Sequence, residues 1–339
     1  MADGVMSDAG HLTDADTGRA GESGHGDMDH ATAPGHTGQA GQAGQAGQIR
    51  QAILDRVLRT AAEKAAAPGQ LRFTERQLYY EVCRVLLPWH RAPRRTHFTS
   101  APALTYTAFR GALHRLGPDT VDGLLPPVVP GPPRPAGRHT PEPDLFDYGL
   151  PRLLVCESDD IAAMLRANGV PMESACPVYG ASELPLDTRV LRMLSLAERA
   201  TVYLLHDASA HGLTFPARFA RSVDVPDGVR VVPLGLRPRQ AGALHLVHGR
   251  GPAYAAIPGH WPAPAAASGA GAAPGLASAL SRWERDWLRR GRYVELAAVN
   301  PASLIRTVHR LVREVRAPRS QLTELRQVRR AGFLSWPTA

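Results

Sequence analysis

The chain has 339 residues, 44% of them hydrophobic, which allows one large or two ordinary domains with a sizeable core. No run nears the roughly 20 apolar residues of a membrane span, the first residues lack the basic and apolar regions of a secretory signal, and three cysteines (Cys83, Cys156, Cys176) are too few for a disulfide framework or zinc cluster. The formal charge is +8, but residues 1–48 hold seven acids and one base, so 38 basic and 24 acidic residues remain, a surplus of 14.

That surplus is the electrostatic footprint of a nucleic-acid partner in the cytoplasm, associated with the nucleoid. Lys64 is the only lysine; every other basic residue is arginine, whose planar fork suits phosphate.

Residues 1–48 are rich in Gly, Ala, Asp and Gln and end in GQAGQAGQAGQ, so they are expected to be a disordered tail. From Ile49 to Ala66, Ile49, Ile53, Val57 and Leu58 fall on one stripe, which predicts a helix that Pro68-Gly69 stops. A second helix is predicted from a capping box, Thr74 with Gln77 three positions on, to about Leu87. The loop WHRAPRRTHF is basic, a third helix follows it, and DTVDGLLPPVV reads as a short β wing. Three helices and a wing match a winged-helix DNA-binding module over residues 49–130, with Arg84, Arg91, Arg94 and Arg95 as its candidate DNA contacts. Residues 131–149 are a Pro-rich linker.

Residues 150–316 alternate short apolar runs with helix-period segments, the signature of a parallel sheet with crossover helices. LLVCESDD delivers Glu157 at the end of one strand, and TVYLLHDASAHGL delivers Asp207 at the end of another. Ligands of such sheets sit outside the carboxyl ends of the strands, so two acids there suggest a divalent-metal site. VRVVPLGL is a further strand, residues 249–275 an irregular insertion, Leu276 to Arg290 and Pro301 to Arg316 helices, and residues 317–339 a tail.

On the second helix, Leu78, Val82, Val85 and Leu86 form the core stripe, and Tyr80 lies off it between Arg76 and Arg84. Two arginines favour a phenolate and draw in a phosphate, the setting a tyrosine needs to attack a phosphodiester. A tyrosine lying over a basic helix surface is the plainer account.

Several segments, in order, resemble the A subunit of type IIB DNA topoisomerase (topoisomerase VI) and the related meiotic double-strand-break protein. TERQLYY resembles that family's T/S-x-R-x-x-Y-Y helix, LLVCESDD its first Toprim strand, YGASELPLDTR its G-x-G-x-P-D-x-x-T-R loop, LHDASAHG its D-x-D-x-x-G strand end, and VVPLGLRP its L-G-L-R-P segment. VELAAVNPASLIRTV is similar to the family's acidic-start terminal helix. The resemblance implies an α/β chain with a winged-helix domain followed by a Rossmann-like Toprim domain. It implies Tyr80 as the nucleophile, Arg76 as the motif arginine, and Glu157 and Asp207 as Mg²⁺ ligands. It also implies double-stranded DNA as substrate, a homodimer, and a separate ATPase subunit.

The departures are specific. Ser209 stands where the second aspartate of D-x-D is expected, and Ser182 and Leu186 erode the loop, although Asp187 and Arg189 remain. Losing a carboxylate weakens a Mg²⁺ site; Asp159, Asp160, His206 and His211 are the nearby substitutes. Three readings follow: Mg²⁺-dependent strand cleavage through Tyr80, a DNA-binding scaffold with decayed chemistry, or a hydrolytic Toprim nuclease resembling that of Wadjet-type defence systems.

Overall fold

The computed structural model describes residues 37–93, 96–129, 149–251 and 280–313. The expected tail at residues 1–36, most of the Pro-rich linker, the body of the insertion, the C-terminal tail, and Arg94 and Arg95 lie outside these residues.

The apolar runs become four strands: β1 (Arg152–Cys156), β2 (Val178–Gly180), β3 (Thr201–Leu205) and β4 (Arg230–Pro233). All pair in parallel in the order β2-β1-β3-β4, so the chain belongs to the α/β class. Helices α4 (Asp159–Ala167) and α5 (Val170–Ser174) carry the chain from β1 to β2, α6 (Thr188–Leu196) from β2 to β3, and α7 (Ala210–Leu213) with α8 (Phe215–Ser222) from β3 to β4.

Side chains alternate across a strand, and both faces of the two central strands are buried. Leu153, Val155, Val202 and Leu204 pack with Leu194, Phe215 and Phe219 in one cluster. Leu154, Cys156, Tyr203 and Leu205 belong to a second cluster with Ile161, Leu165, Val308 and Val312. The last two come from α11 (Pro301–Val312).

That second cluster runs on into the amino-terminal helices α1 (Thr37–Ala66), α2 (Glu75–Leu86) and α3 (Tyr106–Leu116), through Leu58, Phe73, Leu78 and Phe109. From Gln48 onward the chain is one compact unit. The capping box forms as expected: Thr74 Oγ1 accepts from the Gln77 amide (3.1 Å), and Gln77 Oε1 accepts from the Thr74 amide (2.9 Å).

Two expectations for this half are corrected. Helix α1 starts at Thr37 within the Gly/Gln/Ala repeat, where Ala and Gln are strong enough helix formers to carry the glycines. It buries Leu58, Ala61 and Ala65 and packs Val57 against the same core, while Ile49 and Ile53 stay 60% and 56% exposed; the expected stripe holds for its second half only. The wing is also absent among the described residues. Residues 118–120 form a 3₁₀ turn, and Leu124 makes a single parallel bridge to Phe73. Pro126 and Pro127 have no amide hydrogen to extend a hairpin ladder.

After β4, α9 (Pro238–Ala243) leads to β5 (Gly249–Arg250), which pairs antiparallel with β6 (Arg292–Tyr293) beyond α10 (Arg282–Arg289). No helix among the described residues is long and apolar enough to cross a membrane.

Between β4 and α9 the chain passes very close to β3. His206 is fully buried, and a Cβ at Gly235 would sit 2.2 Å from its ring. Gly235→Ala is expected to destabilise the protein by about 1–3 kcal/mol through overpacking, read as a lower urea midpoint. An unchanged midpoint would mean that residues 234–236 can move away from His206.

Candidate functional site

Parallel pairing sets the carboxyl ends of β1 and β3 side by side. Cys156 is in register with Leu205, and the Glu157 amide donates to the Leu205 carbonyl (2.8 Å). Glu157 and Asp207 therefore share one sheet edge, as the strand pattern implied. Their carboxylates, however, have different partners. Glu157 Oε2 accepts from the Asp207 backbone amide (3.1 Å), while Oε1 meets Arg218 Nη2 (2.7 Å) and lies 3.6 Å from His211 Nε2. Gly212 leaves the room for this arrangement: a Cβ there would stand 2.9 Å from Glu157 Oε2.

Asp207 Oδ1 accepts from the Leu296 amide (2.7 Å). The carboxyl also lines a cavity of about 190 Å³ with Thr74, Arg76, Ser158, Asp160, Ile161, Glu295 and Ala297. Burial pushes the Asp207 carboxyl up to about 8; the Leu296 amide opposes that shift, and the negative charges of Glu157 and Glu295 add to it. At neutral pH Asp207 holds its proton.

Arg76 crosses from α2 to this edge. Its Nε donates to Glu295 Oε2 (2.9 Å) and its Nη2 to Glu295 Oε1, a bidentate pair. The guanidinium lies 4.4 Å from the Tyr106 ring centroid and 5.9 Å from that of Tyr80. Burial alone would lower the Arg76 pKa, but the hydrogen bonds and charge of Glu295 hold it above its ordinary value. Glu295 was not among the site residues read from the sequence. Its only signal there was the acidic start of the segment before the last helix, and the partner that gives it a role lies 219 positions away.

Tyr80 is 3% exposed and part of the core, not on the helix surface as periodicity suggested. Burial first, and then the charge of Glu295, raise its phenol well above the ordinary value; Arg76 pulls the other way and does not prevail. The hydroxyl is therefore protonated. Tyr79 is also buried and donates to the Leu104 carbonyl (2.9 Å).

Arg84, expected to face DNA, is turned inward to Glu81 and the Ala298 carbonyl, with 11% of its side chain exposed. A carboxylate three residues back and a carbonyl from the sheet edge account for that. Arg91 is exposed.

The substitutes for a missing ligand have partners of their own, although His206 Nε2 is buried without one. Ser209 Oγ caps α7 by accepting from the Gly212 amide (2.8 Å). Asp159 accepts from the Ser182 amide (3.0 Å), and Asp160 from the Val128 amide (3.4 Å). His206 Nδ1 lies 3.0 Å from the Asp207 carbonyl, and burial lowers the pKa of both His206 and His211. Mg²⁺ requires carboxylate oxygens that are free to meet it. Among the described residues no group of three or more His, Cys, Asp or Glu could hold a metal ion. As arranged, Glu157 already has a cation partner in Arg218.

Compared with known proteins, the chain matches no family model, no curated protein and no solved structure.

The Asp207 proton has a consequence for stability. The folded pKa is about 8, against 3.8 for the free group. The raised value means that its contribution is fully present below about pH 4 and is lost as pH rises to about 8, at up to about 1.4 kcal/mol per pH unit. In Asp207→Asn that slope should vanish, leaving the variant less pH-sensitive than the wild type in urea unfolding across this window. Parallel pH profiles would show that the proton is held elsewhere.

Proposed function

We propose that this chain is a double-stranded-DNA-binding protein with a plan related to that of a topoisomerase VI A subunit, an amino-terminal helical module without the wing followed by a Toprim-like parallel sheet, that serves binding and has set strand cleavage aside. The observation that carries this reading is Glu157. The acid that would have to meet an incoming metal has Oε1 paired with Arg218 and Oε2 accepting from the Asp207 amide. The basic surplus of 14 beyond residue 48 supplies the binding term. Dimerisation and a separate ATPase subunit belong to the same reading and rest on the resemblance.

A second reading, cleavage through Tyr80, is favoured by one observation: the Tyr80 ring and the acid edge meet at the same guanidinium, that of Arg76. It requires Tyr80 to leave the core and lose its proton.

Supercoiled plasmid incubated with the protein and Mg²⁺ or Mn²⁺, quenched with detergent and run with and without protease, separates the two. Intact plasmid with a low-salt gel shift is the expected result, with log affinity falling against log salt by about 0.9 for each phosphate neutralised. Protease-sensitive linear or nicked DNA, lost in Tyr80→Phe, would establish the covalent reaction instead. Cleavage without trapped protein would mark a hydrolytic nuclease.

A further inference from the structure

The short β5–β6 ladder places like charges opposite each other. Arg250 and Arg292 are register partners across the antiparallel pair, an arrangement that repels. Arg290 adds a third charge two residues before Arg292. Burial, followed by the charges of Arg250 and Arg290, lowers the Arg292 pKa from its ordinary value. His248 is buried, and its pKa is pushed down to about 4 by burial and then by Arg292 and Arg250. Two separate groups thus register the same positive potential.

The protein does not neutralise that potential with its own described residues. Neighbouring arginines are held: Arg289 by Asp286 (2.6 Å), Arg237 by Glu284 (3.2 Å) and Arg285 by the Leu280 carbonyl (3.1 Å). Arg250, Arg290 and Arg292 have no carboxylate within ion-pair distance among the described residues, and Arg292 Nε is buried without a hydrogen-bond partner. Arg250 and Arg290 are exposed. Residues 249–281 contain no Asp or Glu, so the intervening insertion brings no acid to them.

The position of the cluster is specific. β6 runs directly into Val294, which pairs with Ala208, and then into Glu295 at the sheet edge. On the other side, Val247 bridges Ser100 and the His248 amide donates to the Ser100 carbonyl (2.8 Å). This pairing ties β5 to the basic loop that carries Arg91 and His97. The cluster therefore lies between the segment that follows that loop and the candidate site.

We propose that Arg250, Arg290 and Arg292 form a binding site for the phosphodiester backbone of double-stranded DNA, an inference that rests on the DNA-binding reading above. Guanidinium forks match phosphate oxygens two at a time, and an anion seated there relieves the cross-strand repulsion.

The test uses the full chain and labelled duplex DNA, with affinity measured by anisotropy over a series of salt concentrations. The double variant Arg250→Ala/Arg290→Ala should bind with a shallower log–log salt slope, by about 0.9 for each phosphate that is no longer neutralised. Its thermal midpoint should be unchanged or higher, because exposed like charges have been removed. Arg221→Ala, an exposed arginine on α8, should leave the slope as it is. If the wild type binds and the double variant keeps its full slope, the cluster is overturned while DNA binding stands. If the wild type binds no DNA at low salt, both readings fall. Phosphatidylserine vesicles bound through the same two arginines in that case would assign the site to a lipid headgroup.

Discussion

The bidentate pair between Arg76 and Glu295 is the interaction on which the site depends. It joins α2 to the segment that follows β6, beside the carboxyl edge of the parallel sheet. Stacking on Tyr106 holds the guanidinium in place, and Glu295 keeps it charged despite partial burial. A charge taken partly out of water is tolerable only if it is paired and hydrogen-bonded. Each member of this pair therefore fixes the other, and with them the packing of α2 against the 3₁₀ turn Leu296–Ala298. Tyr80 is buried as a consequence of that docking.

The carboxyl edge of a parallel sheet collects acids, and like charges at short range resist being ionised together. Here the tension is resolved in three ways. Glu157 is neutralised by Arg218, Glu295 by Arg76, and Asp207 by keeping its proton. Three of the acids at this edge are thus satisfied internally. A few residues along β6 the situation reverses: Arg250, Arg290 and Arg292 crowd together without an acid.

The sequence by itself determined the four parallel strands and the helices that connect them. Apolar runs ending in Glu157 and Asp207, separated by helix-period segments, specify parallel strands, because period-2 and period-3.6 patterns suit different backbones. The Thr74–Gln77 cap and the shared edge of the two acids were legible for the same reason: each depends on neighbours in sequence or on the direction of a strand. What only the tertiary structure decided was the state of the side chains. That α1 buries Ala61 and Ala65 instead of Ile49 and Ile53, that Tyr80 enters the core, that Arg84 turns inward, and that Glu295 captures Arg76 all depend on partners far away along the chain. Charge, protonation and accessibility are set by what packs within a few ångströms, and for these residues that is a matter of folding and not of local pattern.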